Sequence, residues 1–133
     1  MIPRTVFAST LAVIAFTVLL AVPAAHAGWK YPQPVRVFSS GGYVGASGSF
    51  SDTWNSTDTE SYMVCGLQNG IGYCYALDSS GGWADCSTSD PALMQTIAAM
   101  HGDSIIGFGY ATSNQICTYI STQIASYTAP KHS

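Results

Sequence analysis

Two cysteines, Cys65 and Cys74, stand equidistant from an Asn-Gly pair in the stretch CGLQNGIGYC, and this symmetry restricts what the chain can form. Asn-Gly is the favoured two-residue loop of a β-hairpin, because both residues tolerate the positive φ of a type I′ turn. With Asn69-Gly70 as that loop, Gln68 faces Ile71, Leu67 faces Gly72, Gly66 faces Tyr73 and Cys65 faces Cys74. Counted outward from the closing pair, the cysteines fall at a non-hydrogen-bonded site, where the Cβ atoms approach closely enough for a disulfide. The next turn, DSSGGW, accepts a three-residue loop from Ser79 to Gly81 with Gly81 left-handed, which places Cys86 opposite Cys74 on its other side. Cys65 and Cys86 are then two strand spacings apart, roughly 9.5 Å and too far to bridge. The favoured pairing is Cys65 with Cys74 and Cys86 with Cys117; the alternative is Cys74 with Cys86 and Cys65 with Cys117.

Disulfides in a small domain imply an oxidising compartment, and the start of the chain agrees. One basic residue, Arg4, precedes an apolar run from Val6 to Val22, and Ala25-His26-Ala27 closes it with small residues at the positions signal peptidase reads. Residues 1–27 are expected to be a cleaved signal peptide and residues 28–133 a single disulfide-stapled, β-rich domain, secreted or periplasmic. Pro23 and the small-x-small site argue against a retained membrane anchor, so no span is expected after cleavage. The mature domain keeps Lys30, Arg36 and Lys131 against seven acidic residues. Nucleic acids and anionic membrane surfaces require clustered Lys and Arg, and both are excluded as partners. No C-x-x-C or zinc-ligand spacing occurs, so neither a metal nor another cofactor is expected.

The remaining segments read mainly as β, in an α+β arrangement: a small antiparallel sheet or sandwich with one short helix. Strands are expected near Val35 to Phe38 and Tyr43 to Phe50, followed by a polar loop from Ser51 to Glu60. After Cys86, Asp90 is a helix N-cap and Pro91 suits the first helical position. Leu93, Met94, Ile97, Ala98 and Met100 or His101 recur at helical spacing, and Gly102 reads as the C-cap. DSIIGFGYATSNQICTYIS reads as a second hairpin, closed near Ser113-Asn114.

Period two sorts the residues of the central meander onto two faces. One carries Met63, Cys65, Leu67, Gly72, Cys74, Ala76, Ala84 and Cys86, small and apolar, where the helix is expected to pack. The other carries Tyr62, Val64, Tyr73, Tyr75, Leu77 and Trp83. Such an aromatic row is more often core beneath a second sheet; left uncovered, it becomes a binding surface. Tyr62, Tyr73, Tyr75 and Trp83 are therefore the candidate ligand-binding residues.

Catalysis finds little support. His101, in HGD, is the one plausible base, but a histidine in the last turn of a helix is accounted for by the helix dipole. Asp78 and Asp85 flank one Gly-rich turn and read as turn formers rather than as a glycosidase pair. Asp58 to Glu60 lacks the ligand pattern of a calcium loop.

The order SYMVC, CYALD, CSTSDP opening a short helix, DSIIGFGY, a fourth cysteine and a terminal YTAPK resembles a family of small exported bacterial proteins with four spaced cysteines and no assigned activity. The resemblance spans roughly residues 43–131 and implies export and a disulfide framework; it carries over no catalytic residue. Two functions remain: a non-enzymatic module binding a carbohydrate or other cell-surface ligand through the aromatic face, or a structural or interaction protein, such as an extracellular assembly subunit or an inhibitor. Exposure of the aromatic row favours the first. A long unpaired edge strand favours the second, because such edges template the addition of another chain.

Overall fold

The computed structural model describes residues 31–127; the expected signal peptide, residues 1–27, lies outside them, as does Trp29. Within this range the chain forms β1 (Arg36–Ser40), β2 (Tyr43–Ser49), α1 (Phe50–Asn55), β3 (Tyr62–Gln68), β4 (Ile71–Leu77), β5 (Trp83–Thr88), α2 (Pro91–Ala98), β6 (Ile105–Ala111) and β7 (Cys117–Gln123). The strands make two antiparallel sheets, a four-stranded one ordered β1-β2-β6-β7 and a three-stranded meander β3-β4-β5. The meander is thus inserted between β2 and β6, which pair with each other.

The central hairpin has the anticipated register, with Cys65 opposite Cys74 around Asn69 and Gly70, both at positive φ. Cys74 also faces Cys86 across β4 and β5, and Gly81 is left-handed at φ 84°. Cys65 is bonded to Cys74, with Cα atoms 4.1 Å apart, and Cys86 to Cys117, 5.1 Å apart. The first bond lies within the meander, whereas the second joins β5 to β7 and so ties one sheet to the other.

The small face of the meander is core, but the four-stranded sheet covers it as well as the helix. Cys74, Ala76 and Ala84 are fully buried together with Ala46, Ile106 and Phe108 from the other sheet. The small side chains let the two sheets approach, and Phe108 fills the space between them. α2 takes the end of this face: Ile97 and Met94 crowd the place where a Cβ on Gly72 would stand, so a larger residue there would force their side chains to shift. Leu67, at the same end, remains exposed.

Two local expectations are corrected. α2 starts as expected, with the Asp90 side chain accepting from Ala92 N and Pro91 in the first turn, but it stops at Ala98 and is capped at Ala99. Gly102 follows three residues later in a separate turn, and Ala98 is exposed. The segment after β2 opens with a helix rather than a loop: Ser49 caps α1 by accepting from Asp52 N at 3.2 Å. The buried side of α1 is polar. Asp52 accepts from Gln33 N at 2.9 Å, and Thr53 Oγ1 accepts from Val35 N at 3.1 Å while donating to Ser49 O. The helix is therefore fastened to the lead-in before β1 by hydrogen bonds, with Phe50 as its apolar anchor. Its polar composition reflects that attachment, not disorder.

Candidate functional site

The four-stranded sheet lies on the small face of the meander, which leaves the aromatic face open. Tyr62 is 41% and Trp83 47% exposed, with Tyr73 and Tyr75 half-buried between their neighbours. The covered-core alternative for this row is thereby overturned. Strand pairing sets the four rings on adjacent positions: Tyr62 faces Leu77, Leu77 faces Trp83, and Tyr75 and Tyr73 follow along β4. Tyr73 and Tyr75 lie nearly parallel, 13° apart with centroids at 6.1 Å; Tyr75 and Trp83 lie at 5.9 Å and 28°. Tyr62 meets both Tyr75 and Trp83 edge-on, at 6.1 and 6.3 Å. Offset-stacked and edge-to-face pairs at these distances are favourable, so the rings hold one another in place without cover. Gly66 supports the arrangement, because the Tyr73 ring occupies the space where its side chain would stand.

Polar groups border the rings on the β5 side. Asp85 and Ser87 alternate with Trp83 onto the aromatic face, opposite Tyr75 and Tyr73. Gln115, from the loop between β6 and β7, donates from Nε2 to Asp85 Oδ1 at 2.8 Å, and its backbone carbonyl accepts from Ser87 N at 3.1 Å. Tyr73, Tyr75, Asp85, Ser87 and Gln115 line an open hollow of about 200 Å³. On the β3 side, Trp54 of α1, 64% exposed, stands across a smaller groove of about 110 Å³ from Tyr62.

Trp54, Asp85 and Gln115 are neighbours of the site that sequence reasoning did not assign to it. For Asp85 the signal was available: two residues from Trp83 in one strand means the same face. Trp54 was hidden by reading α1 as loop, and Gln115 arrives through long-range folding for which no local pattern exists.

Of the residues weighed for catalysis, Asp85 borders the aromatic site, while His101, Asp78 and Asp58 are placed elsewhere. His101 lies beyond α2 in an exposed turn, not in its last turn; its backbone N–H donates to Ser104 Oγ at 2.8 Å. Asp78 is a turn former, accepting from Ser80 N and Gly82 N, and its second oxygen accepts from Val37 N of the other sheet at 3.0 Å. Asp85 is not a turn former but a mid-strand residue. Asp58 accepts from the backbone of Glu60 and Ser61. Among the described residues no group of three or more His, Cys, Asp or Glu is placed to hold a metal ion, and no helix is long and apolar enough to cross a membrane.

Edge strands bear on the alternative of assembly by strand addition. The outward N–H groups of Val35 and Val37, in and beside β1, are taken by Thr53 Oγ1 and Asp78 Oδ2. On β5, the N–H of Asp85 donates to the Tyr110 hydroxyl at 3.2 Å and that of Ser87 to Gln115. Side chains and a loop thus occupy positions on β1 and β5 that an added strand would use; the other two edges are β3 and β7. No protein-family model, curated protein or solved structure matches the chain.

Proposed function

We propose that this protein is an exported, non-enzymatic binding module that holds a carbohydrate or another cell-surface ligand against the aromatic face of β3-β4-β5. The observation that carries the reading is the uncovered cluster of Tyr62, Tyr73, Tyr75 and Trp83. A contiguous row of rings on a rigid sheet presents apolar area at little entropic cost, since the sheet has already fixed the side chains. Strand addition at β1 or β5 is less well supported, because donors there are already used. Turnover is less well supported because the Asp78 and Asp58 carboxylates are engaged by backbone N–H groups.

Trp83→Ala tests the reading. Half-exposed, the indole should contribute under about 1.5 kcal/mol to folding, against about 3–5 kcal/mol for a core aromatic. Binding to polysaccharides or to cell envelopes, followed by tryptophan fluorescence and pull-down, should fall at least about tenfold. A folded Trp83→Ala that binds as the wild type does would refute the assignment.

A further inference from the structure

The geometry points to the hollow between the Tyr73-Tyr75 pair and the Asp85-Gln115 pair as a subsite for one neutral sugar ring, which makes the ligand a neutral polysaccharide rather than a protein or an acidic polymer. This deepens the aromatic-face reading and rests on it. At about 200 Å³ the hollow is below the roughly 300 Å³ at which drug-sized ligand sites begin, and its two halves differ in chemistry. One half is the apolar surface of the Tyr73 and Tyr75 rings, which suits the C–H groups of a pyranose. The other half is a fixed hydrogen-bonding edge. Asp85 is held at both ends, its N–H by Tyr110 and its Oδ1 by Gln115. Asp85 Oδ2 and Gln115 Oε1 remain to accept, and the second Nε2 proton to donate, which matches paired hydroxyls that both give and receive.

The backbone of Gln115 points the same way. It sits at φ 54°, one of two non-glycine residues at positive φ among those described. The other, Asn69, is a residue type suited to its turn; glutamine is not, and the left-handed region is unfavourable for it. A strained residue that aims its side chain into a hollow is a reason to assign that side chain a task. The charge on Asp85, with the acidic balance of the chain, disfavours carboxylate- or phosphate-bearing ligands.

The experiment measures binding of the full mature chain to a panel of neutral polysaccharides (β-glucan, α-glucan, xylan, mannan and galactan), with polygalacturonate as the acidic control. Gln115→Gly removes the carboxamide and is at ease at positive φ, so it should fold at least as well as the wild type; Asp85→Asn keeps shape and removes charge. The expected result is binding to at least one neutral polymer, none to polygalacturonate, a loss of roughly tenfold in Gln115→Gly at unchanged melting temperature, and a weaker complex in Asp85→Asn. Neutral-polymer binding that is lost in Trp83→Ala but unchanged in both subsite variants would overturn the subsite and leave the aromatic-face reading standing. Binding only to polygalacturonate or to a protein would do the same. Binding to nothing in the panel or in envelope extracts would overturn both.

Discussion

Asp78 shows how much one side chain can organise in a domain with few charges. Its Oδ1 closes the β4-β5 turn through Ser80 and Gly82, and its Oδ2 reaches Val37 in the opposite sheet. Burial acts to raise its pKa, but the three backbone N–H groups together outweigh burial and hold the carboxyl below its ordinary value of 3.8. An acid depressed in the folded state stabilises fully above its unfolded pKa, because both states are then ionised and only the folded one has the bonds. As pH falls below about 4 the unfolded chain takes up the proton first, and the contribution disappears as pH passes through the lower folded value. Urea denaturation between pH 2 and 7 should therefore show a steeper acid limb for the wild type than for Asp78→Asn, with the variant less stable at neutral pH. Parallel acid limbs would remove Asp78 from the account.

At the scale of elements, the readable and unreadable parts of the fold separate by the range of the interactions that make them. The meander was legible in register because Asn69-Gly70 and the Ser79-to-Gly81 loop are local turn chemistry, and period two then fixes every facing pair. The start of α2 was legible for the same reason, through Asp90 and Pro91. Which face of the meander is buried was not: both faces carry apolar rows, Asp85 and Ser87 lying only along the β5 edge of the aromatic one, and the choice depends on β2 and β6 pairing across the inserted meander. α1 was missed because only six residues form it and its buried side is Ser51, Asp52 and Thr53. Ser49 and Asp52 nonetheless have the Ser-x-x-acid spacing of an N-terminal cap, a signal outweighed by the polar run around it. The cap is fully buried and also hydrogen-bonds Ser51 Oγ at 2.9 Å. Ser49→Ala should accordingly destabilise the domain by about 1–2 kcal/mol in urea, with an unchanged m-value. A loss within about 0.3 kcal/mol would mean that α1 stands without its cap.

For the whole molecule the two disulfides have unequal tasks. Cys65–Cys74 closes a hairpin whose ladder already runs from Tyr62-Leu77 to Gln68-Ile71, with a separation of 9 residues. Cys86–Cys117 spans 31 residues and joins the two sheets beside the loop that carries Gln115. By chain entropy the longer bridge stabilises by about 3.5 kcal/mol and the shorter by about 2.5 kcal/mol. Against a total of about 5–15 kcal/mol for a small domain, either is a large share. The cysteines of the longer pair are both buried, and Cys74 of the shorter pair is too, so cavity effects of Cys→Ala changes are similar and the difference reflects topology. Replacing Cys65 and Cys74 together should lower the melting temperature while leaving ligand binding intact, because turn and register survive. Replacing Cys86 and Cys117 together should lower it further and also weaken binding, since β5 loses its covalent tie to β7 and Gln115 its firm seat against Ser87. The two double variants compared in calorimetry and in polysaccharide binding decide the point: equal losses of stability with equal binding would mean that the sheets hold together by packing alone.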